Sequence, residues 1–187
     1  QKYIQRAHKI SLSKANLIYF YNILGINNLP FKKLITKKKS KSNSGVIVVT
    51  VLTSGTPEYI DDDGNKVVGK FSCRHNCAYC PNEKAHEGNN WVDQPRSYLY
   101  SEPAVLRANE NKFDPILQFN ARIDALINMG HVVDKLEIIV LGGTWSNYHK
   151  NYKDYFITAT YYAANTYYEK REMLSLEEEI AINENAK

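Results

Sequence analysis

The apolar and polar positions change period several times along the chain. Residues 45–53, GVIVVTVLT, form an unbroken β-branched run. That run predicts a strand buried on both faces, as in a parallel sheet. Upstream, Leu12, Leu17, Tyr21 and Leu24 recur at helical spacing and predict a helix over 11–24. Gly25, Asn27, Asn28 and Pro30 end it, and a basic linker follows. The turn-rich stretch SGTPEYIDDDGNKVVGK predicts a hairpin at Asp63-Gly64, and a polar loop runs on to about residue 100. Residues 103–112 and 114–129 read as two helices broken at Asp114-Pro115. The second carries an apolar stripe of Ile116, Phe119, Ile123, Leu126 and Ile127, and Gly130 stops it. DKLEIIVLGG, residues 134–143, is a strand running into two glycines. A Tyr-rich helix over 152–169 follows. Ser175 with Glu178 fits a capping box for a last helix through about 185.

From residue 45 the order is strand, loop, helices, strand, helix, helix. Such alternation implies parallel strands with helical crossovers, as in a TIM-like barrel or an open α/β sheet. Two clear strands are only the beginning of a barrel. The 187 residues begin without Met and end inside a predicted helix, so a piece of a longer protein is expected. No run of about 18 apolar residues predicts a membrane span, and the first residues lack the apolar core of a secretory signal.

Charge changes the picture at the N-terminal end. Residues 1–45 hold ten Lys or Arg and no Asp or Glu, against 14 Lys or Arg and 20 Asp or Glu in the rest. A purely basic segment beside a mildly acidic body suits a polyanion. A solvated linker is the competing explanation.

All three cysteines fall in FSCRHNCAYCPNE, residues 71–83, at Cys73, Cys77 and Cys80. An odd count in one cluster argues against a disulfide framework and for a metal site in a reducing compartment. Three thiolates so spaced can hold three corners of a 4Fe-4S cubane and leave one iron open to S-adenosylmethionine. This spacing resembles the signature of the radical S-adenosylmethionine (radical SAM) superfamily, and Tyr79 fits its aromatic residue before the third cysteine. The alternative is structural zinc, with His75 or His86 completing a Cys3His set. His8, His131 and His149 have no partner at ligand spacing.

Gly142 and Gly143 follow the second strand, where a barrel places its active-site loops. Their backbone can approach a ligand closely and offer it N–H groups. A tight turn is the commoner reason for such a pair.

With these residues in view, the chain resembles the catalytic subunit family of Elongator from about Lys32 onward. The matching segments are SGVIVVTVLT (44–53), CRHNCAYCPNE (73–83), QPRSYLYSEPAVLRANENKFDP (94–115), GHVVDKLEIIVLGGTW (130–145), YKDYF (152–156) and LSLEEEIAINENAK (174–187). The resemblance implies an incomplete radical SAM TIM-like (β/α) barrel over 45–187, preceded by a short helical, basic tRNA-binding segment over 1–44. The rest of the barrel and an acetyltransferase domain would lie outside this sequence. It further implies carboxymethylation at carbon 5 of the wobble uridine of tRNA, with acetyl-CoA supplying the two-carbon unit through its methyl. The implied cofactors are a 4Fe-4S cluster on Cys73, Cys77 and Cys80 and S-adenosylmethionine at Tyr79, Gly142, Gly143 and Thr144. Lys135 matches a lysine that the family associates with acetyl-CoA, although its residue type alone says only a charge at a strand start. Lys37, Lys38, Lys39, Lys41, Arg96 and Arg107 would face tRNA phosphates. For the two arginines, holding loop or helix geometry is the competing role. Other Elongator subunits are implied partners, the cytoplasm is the implied compartment, and no membrane is involved. A zinc-stapled RNA-binding module without catalysis, or an inactive piece of the enzyme, remain the alternatives. The chain departs from the family in its compact first cysteine gap, in Pro81-Asn82 where a glycine pair is common, and in the inserted YIDDDGNKVVGK.

Overall fold

A computed structural model of the chain describes residues 13–36, 44–70, 73 and 75–185. Lys37, Lys38, Lys39 and Lys41 lie outside the described residues. The architecture is mixed α/β. In order, the elements are α1 (Lys14–Ile23), α2 (Leu29–Ile35), β1 (Val46–Leu52), β2 (Glu58–Ile60), β3 (Lys66–Val68), a 3-10 turn (Glu87–Asn89), α3 (Pro103–Glu110), α4 (Pro115–Asn128), β4 (Lys135–Leu141), a second 3-10 turn (Trp145–Asn147), α5 (Lys150–Thr166) and α6 (Leu176–Asn185). β1 pairs with β4 in parallel, and β2 pairs with β3. No helix among the described residues is long and apolar enough to cross a membrane. By its internal contacts the chain divides into two units, residues 1–48 with 122–137 and residues 49–121 with 138–187.

In the first unit α1 starts at a reciprocal cap. Ser13 Oγ accepts from Asn16 N–H at 3.1 Å, and Asn16 Oδ1 accepts from Ser13 N–H at 3.0 Å. The stretch expected as linker after Pro30 is a second helix. Asn28 Oδ1 caps Phe31 N–H at 3.0 Å, and Pro30 sits in the first turn, where its missing N–H costs nothing. Ile18, Tyr21 and Ile35 are buried together, and Tyr21 OH accepts from Asn28 N–H at 3.0 Å. The apolar face of α1 is therefore Leu17, Ile18 and Tyr21, while Leu24 is 67% exposed. α4 ends as its sequence predicts. Gly130 has φ +84°, and Gly130 and His131 N–H groups donate to the Ile127 and Leu126 carbonyls. A Cβ at Gly130 would stand 2.5 Å from Thr36 Cγ2, so glycine is needed for space as well as for φ.

The second unit is built on the C-terminal ends of β1 and β4. Val49, Val51 and Leu52 are buried, but Val48 is 42% exposed. Burial on both faces thus holds only at the end of β1. β4 alternates exposed and half-buried positions. The ladder continues past β1, with Thr53 N–H donating to Leu141 O at 2.9 Å. At Leu52 the opposite edge of β1 is covered by a side chain. Leu52 N–H donates to Gln118 Oε1 and Gln118 Nε2 donates to Leu52 O, both at 2.9 Å. One amide thus imitates a neighbouring strand and blunts an open edge. Leu52 packs with Val105, Ala108 and Phe113. The α3–α4 break falls where expected, because Asp114 Oδ1 caps Leu117 N–H at 2.8 Å. The hairpin forms at Gly64, φ +83°, with Asp61 Oδ1 accepting from Asp63 and Asn65 N–H groups. It docks on α5 through Asn151 Nδ2, which donates to Ile60 O and Asp62 Oδ1, and through Tyr59 stacked on His149.

α6 begins at the capping box read from the sequence: Ser175 N–H donates to Glu178 Oε2 at 3.0 Å and Ser175 Oγ accepts from Glu178 N–H at 3.4 Å. Glu179 is inaccessible to solvent and is gripped by Arg171 through both guanidinium nitrogens, at 2.7 and 2.6 Å. Asn165 and Leu174 N–H also donate to it. Arg171 above all, aided by these two, overcomes the cost of burial and holds the Glu179 carboxyl down at about 2. The unfolded chain titrates this group near 4.3. Its contribution is therefore complete above pH about 5.5 and declines as pH falls toward 2. Glu179→Ala should destabilise the protein at pH 7 by about 3 kcal/mol, since it strands Arg171 beside a buried hole. The penalty should shrink in urea melts run at pH 3.

Candidate functional site

The cysteine loop is shaped by its neighbours more than by itself. Cys80 N–H donates to Cys77 O at 3.0 Å, which places both residues on one turn. Cys73, Cys77 and Cys80 are each half-buried, and no disulfide joins them. Tyr79 projects from the same turn and is 89% exposed. A side-chain hydrogen bond with Cys77 raises its ionisation above the ordinary tyrosine value.

After Cys80 the chain is organised by Glu83. Burial would raise this carboxyl, but Tyr100 N–H, Asn89 Nδ2 and His86 donate to it and hold it below the ordinary value. Asn89, fully buried, also donates to Lys84 O and accepts from His86 N–H. His86 itself is spent on local structure: Nδ1 accepts from Gly88 N–H at 3.0 Å and Nε2 meets Glu83 at 3.2 Å. With both ring nitrogens engaged, His86 makes a poor fourth ligand for zinc. His75 is exposed.

The strand ends supply the second half of the site. Gly142, at φ +144°, lies so close to Thr53 that a Cβ would fall 1.8 Å from Thr53 Oγ1. Thr53 Oγ1 in turn shares a 2.7 Å hydrogen bond with Tyr148 OH, which donates to Ser54 O. Ser54 N–H donates to Tyr152 OH at 3.0 Å. Burial pushes both tyrosines' ionisation upward. The N–H groups of the glycine pair meet tyrosine oxygens, Gly142 to Tyr98 OH at 3.4 Å and Gly143 to Tyr148. The missing side chain at Gly142 thus makes room for Thr53, and the N–H groups of the pair are already engaged by tyrosines.

The two halves meet. Cys73 Sγ lies 3.5 Å from Thr144 Oγ1, although 71 positions separate them. Of the other residues singled out from sequence, Arg96 is half-buried and donates from Nη2 to Asn76 Oδ1 at 2.7 Å, inside the cysteine loop. Arg107 is exposed in the last turn of α3, and Lys135 is exposed at the first position of β4. Nothing local in the sequence marks Tyr98 or Tyr148, because their partners Gly142 and Thr53 lie 44 and 95 positions away. A cavity of about 730 Å³ lies elsewhere in this unit, between the hairpin, the α3–α4 junction and α5, and neither the cysteines nor the glycine pair line it.

Three thiols form a donor set suited to iron or another soft metal. Among the described residues no three His, Cys, Asp or Glu side chains are already gathered to hold an ion. Filling the site would draw the thiols together as the metal binds.

No protein-family model matches the chain. It is 37% identical over 155 residues to a tRNA uridine(34) acetyltransferase of Methanocaldococcus infernus, covering 82% of this chain and 25% of that protein. To Elongator complex protein 3 of Homo sapiens it is 35% identical over 130 residues, 67% of this chain and 21% of that protein. A tRNA uridine(34) acetyltransferase of Dehalococcoides mccartyi is 34% identical over 150 residues, 80% of this chain and 27% of that protein. The chain spans about a quarter of the length of the curated relatives it matches. Over that quarter, it is a homologue of the proteins named tRNA uridine(34) acetyltransferase and Elongator complex protein 3.

Proposed function

We propose that this chain is the cluster- and cofactor-binding part of a radical SAM enzyme that modifies the wobble uridine of tRNA, joining the acetyl methyl carbon of acetyl-CoA to carbon 5 and leaving a carboxymethyl group once water releases CoA. The observation that carries the reading is the approach of Cys73 to Thr144. It joins the thiol loop to the glycine-bearing strand end, and these are the two features that such chemistry needs side by side.

Cys73, Cys77 and Cys80 would hold a 4Fe-4S cluster by three corners. When bound, the cluster and S-adenosylmethionine supply an adenosyl radical. The chain's own residues bind and orient. Gly142 and Gly143 would line the methionine end of the cofactor, with Thr144 and Tyr79 flanking it. Tyr148, Thr53 and Tyr152 fix the end of β1, so the floor of the site does not shift. Residues 1–44 form the tRNA-binding segment in this reading, with Lys37, Lys38, Lys39 and Lys41 on backbone phosphates and Arg107 as a further contact. Residues 45–187 begin a TIM-like barrel. Lys135 would face acetyl-CoA, other Elongator subunits are partners, and the cytoplasm is the working compartment.

The test uses the complete protein, reconstituted without oxygen and given tRNA, S-adenosylmethionine, acetyl-CoA and a reductant. The reading expects 5′-deoxyadenosine and a wobble uridine heavier by a carboxymethyl group. Acetyl transfer to tRNA without cleavage of S-adenosylmethionine would overturn it.

A further inference from the structure

Arg96 does more in the fold than a phosphate contact requires. Its Nη2 reaches Asn76, the residue before Cys77, at 2.7 Å. The next residue, Ser97, donates its N–H to Pro81 O at 3.0 Å, just past Cys80. One dipeptide thus grips the cysteine turn on both sides. Ser97 adopts φ +65°, an uncommon conformation for a residue with a side chain, and this places its N–H for the grip. The base of the grip is firm. Pro95 is fully buried, and Gln94 is buried with its N–H on Glu83 O at 3.0 Å and its side chain bonded to Asn109.

The guanidinium is incompletely satisfied. Arg96 Nε is buried and has no hydrogen-bond partner, and among the described residues no carboxylate forms an ion pair with this side chain. A half-buried cation with an idle donor is costly unless an anion completes it. Thiolates of Cys73, Cys77 and Cys80 drawn together by a metal would supply that anion, because the guanidinium already touches Asn76 beside Cys77. An arginine, permanently charged and rigidly forked, suits this better than a lysine.

We propose that Arg96 is a positioning residue for the cysteine loop and the counter-charge to the thiolate-bound cluster. The proposal rests on the reading of the three cysteines as iron ligands. A fixed positive charge beside an iron–sulfur cluster favours its reduced, more negative state and raises its potential.

The experiment compares Arg96→Gln and Arg96→Lys with wild type in the complete protein, reconstituted without oxygen. Iron release to a chelator, midpoint potential by EPR-monitored titration, and tRNA affinity are read separately. Arg96→Gln should release iron about 10-fold faster or more, and its midpoint should move to more negative potential. Arg96→Lys should restore the potential but not the retention, because it keeps the charge and loses the fork. In both variants tRNA affinity should stay within about twofold, since the guanidinium is committed to the cysteine loop and not to a phosphate. Iron-loaded variants with wild-type retention and potential would overturn the proposal. So would a loss of tRNA affinity with an unaltered cluster, which would make Arg96 an RNA contact. Wild-type protein holding zinc would remove the iron reading beneath it, a result distinct from both.

Discussion

Gly142→Ala is expected to destabilise the protein by about 3 kcal/mol or more. Two costs combine. The backbone at φ +144° is one that side-chain-bearing residues rarely adopt, at about 1–2 kcal/mol. The added methyl would also overlap Thr53 Oγ1, which is itself held by Tyr148, so the neighbour cannot simply turn away. Overpacking of that kind costs about 1–3 kcal/mol. Gly64→Ala is the control. Its φ is also positive, +83°, but nothing stands within 4 Å of the added Cβ, so a loss of only about 1 kcal/mol is expected. Urea midpoints measure both. Gly142→Ala should also cost less in a Thr53→Ala background, because the overlapping oxygen is gone. Equal penalties at Gly142 and Gly64 would show that the crowding against β1 is not real.

Cys77→Ser is expected to abolish iron and sulfide binding while leaving the apo fold intact. The serine oxygen is a harder, more weakly binding ligand, and the loss of one corner from three leaves too few thiolates for a cubane. The loop itself should survive, because the Cys80 N–H to Cys77 O bond is made by backbone and the grip from Ser97 does not involve the thiol. Iron and sulfide content should therefore collapse while the circular dichroism melt and the tRNA affinity stay close to wild type. If Cys77→Ser kept a full complement of iron, the thiol loop would not be the cluster's holder.

The local signals in the sequence translated well into structure. The β-branched run before Thr53, the Asp63-Gly64 turn, the stop at Gly130 and the Ser175–Glu178 box are each decided by neighbours a few residues away, and each formed. The helix at Leu29–Ile35 was also written locally, in the Asn28 cap and Pro30, but the lysines around it gave the segment the look of a linker. The expected stripe on the first helix differs at Leu24, which is exposed at the C-cap, one residue past the helix end, while Leu12 lies outside the described residues. The exposure of Val48 and of alternate β4 positions could not be read from β-propensity, since it depends on what covers each face. In the candidate site, the cysteines and glycines were visible as spacing. The residues that hold them were not. Tyr148 meets Thr53 across 95 positions, Tyr98 meets Gly142 across 44, and Arg96 meets Asn76 across 20. No periodicity carries such pairings. Glu83 follows the cysteines closely in sequence, yet its role depends on Tyr100 and Asn89, which reach it only once the loop has folded back.

The most direct test of this account is the metal content of protein purified and reconstituted without oxygen. Iron and acid-labile sulfide near four each per chain, with an absorbance that bleaches on reduction, is the predicted result. A single tightly held zinc ion without sulfide would contradict it.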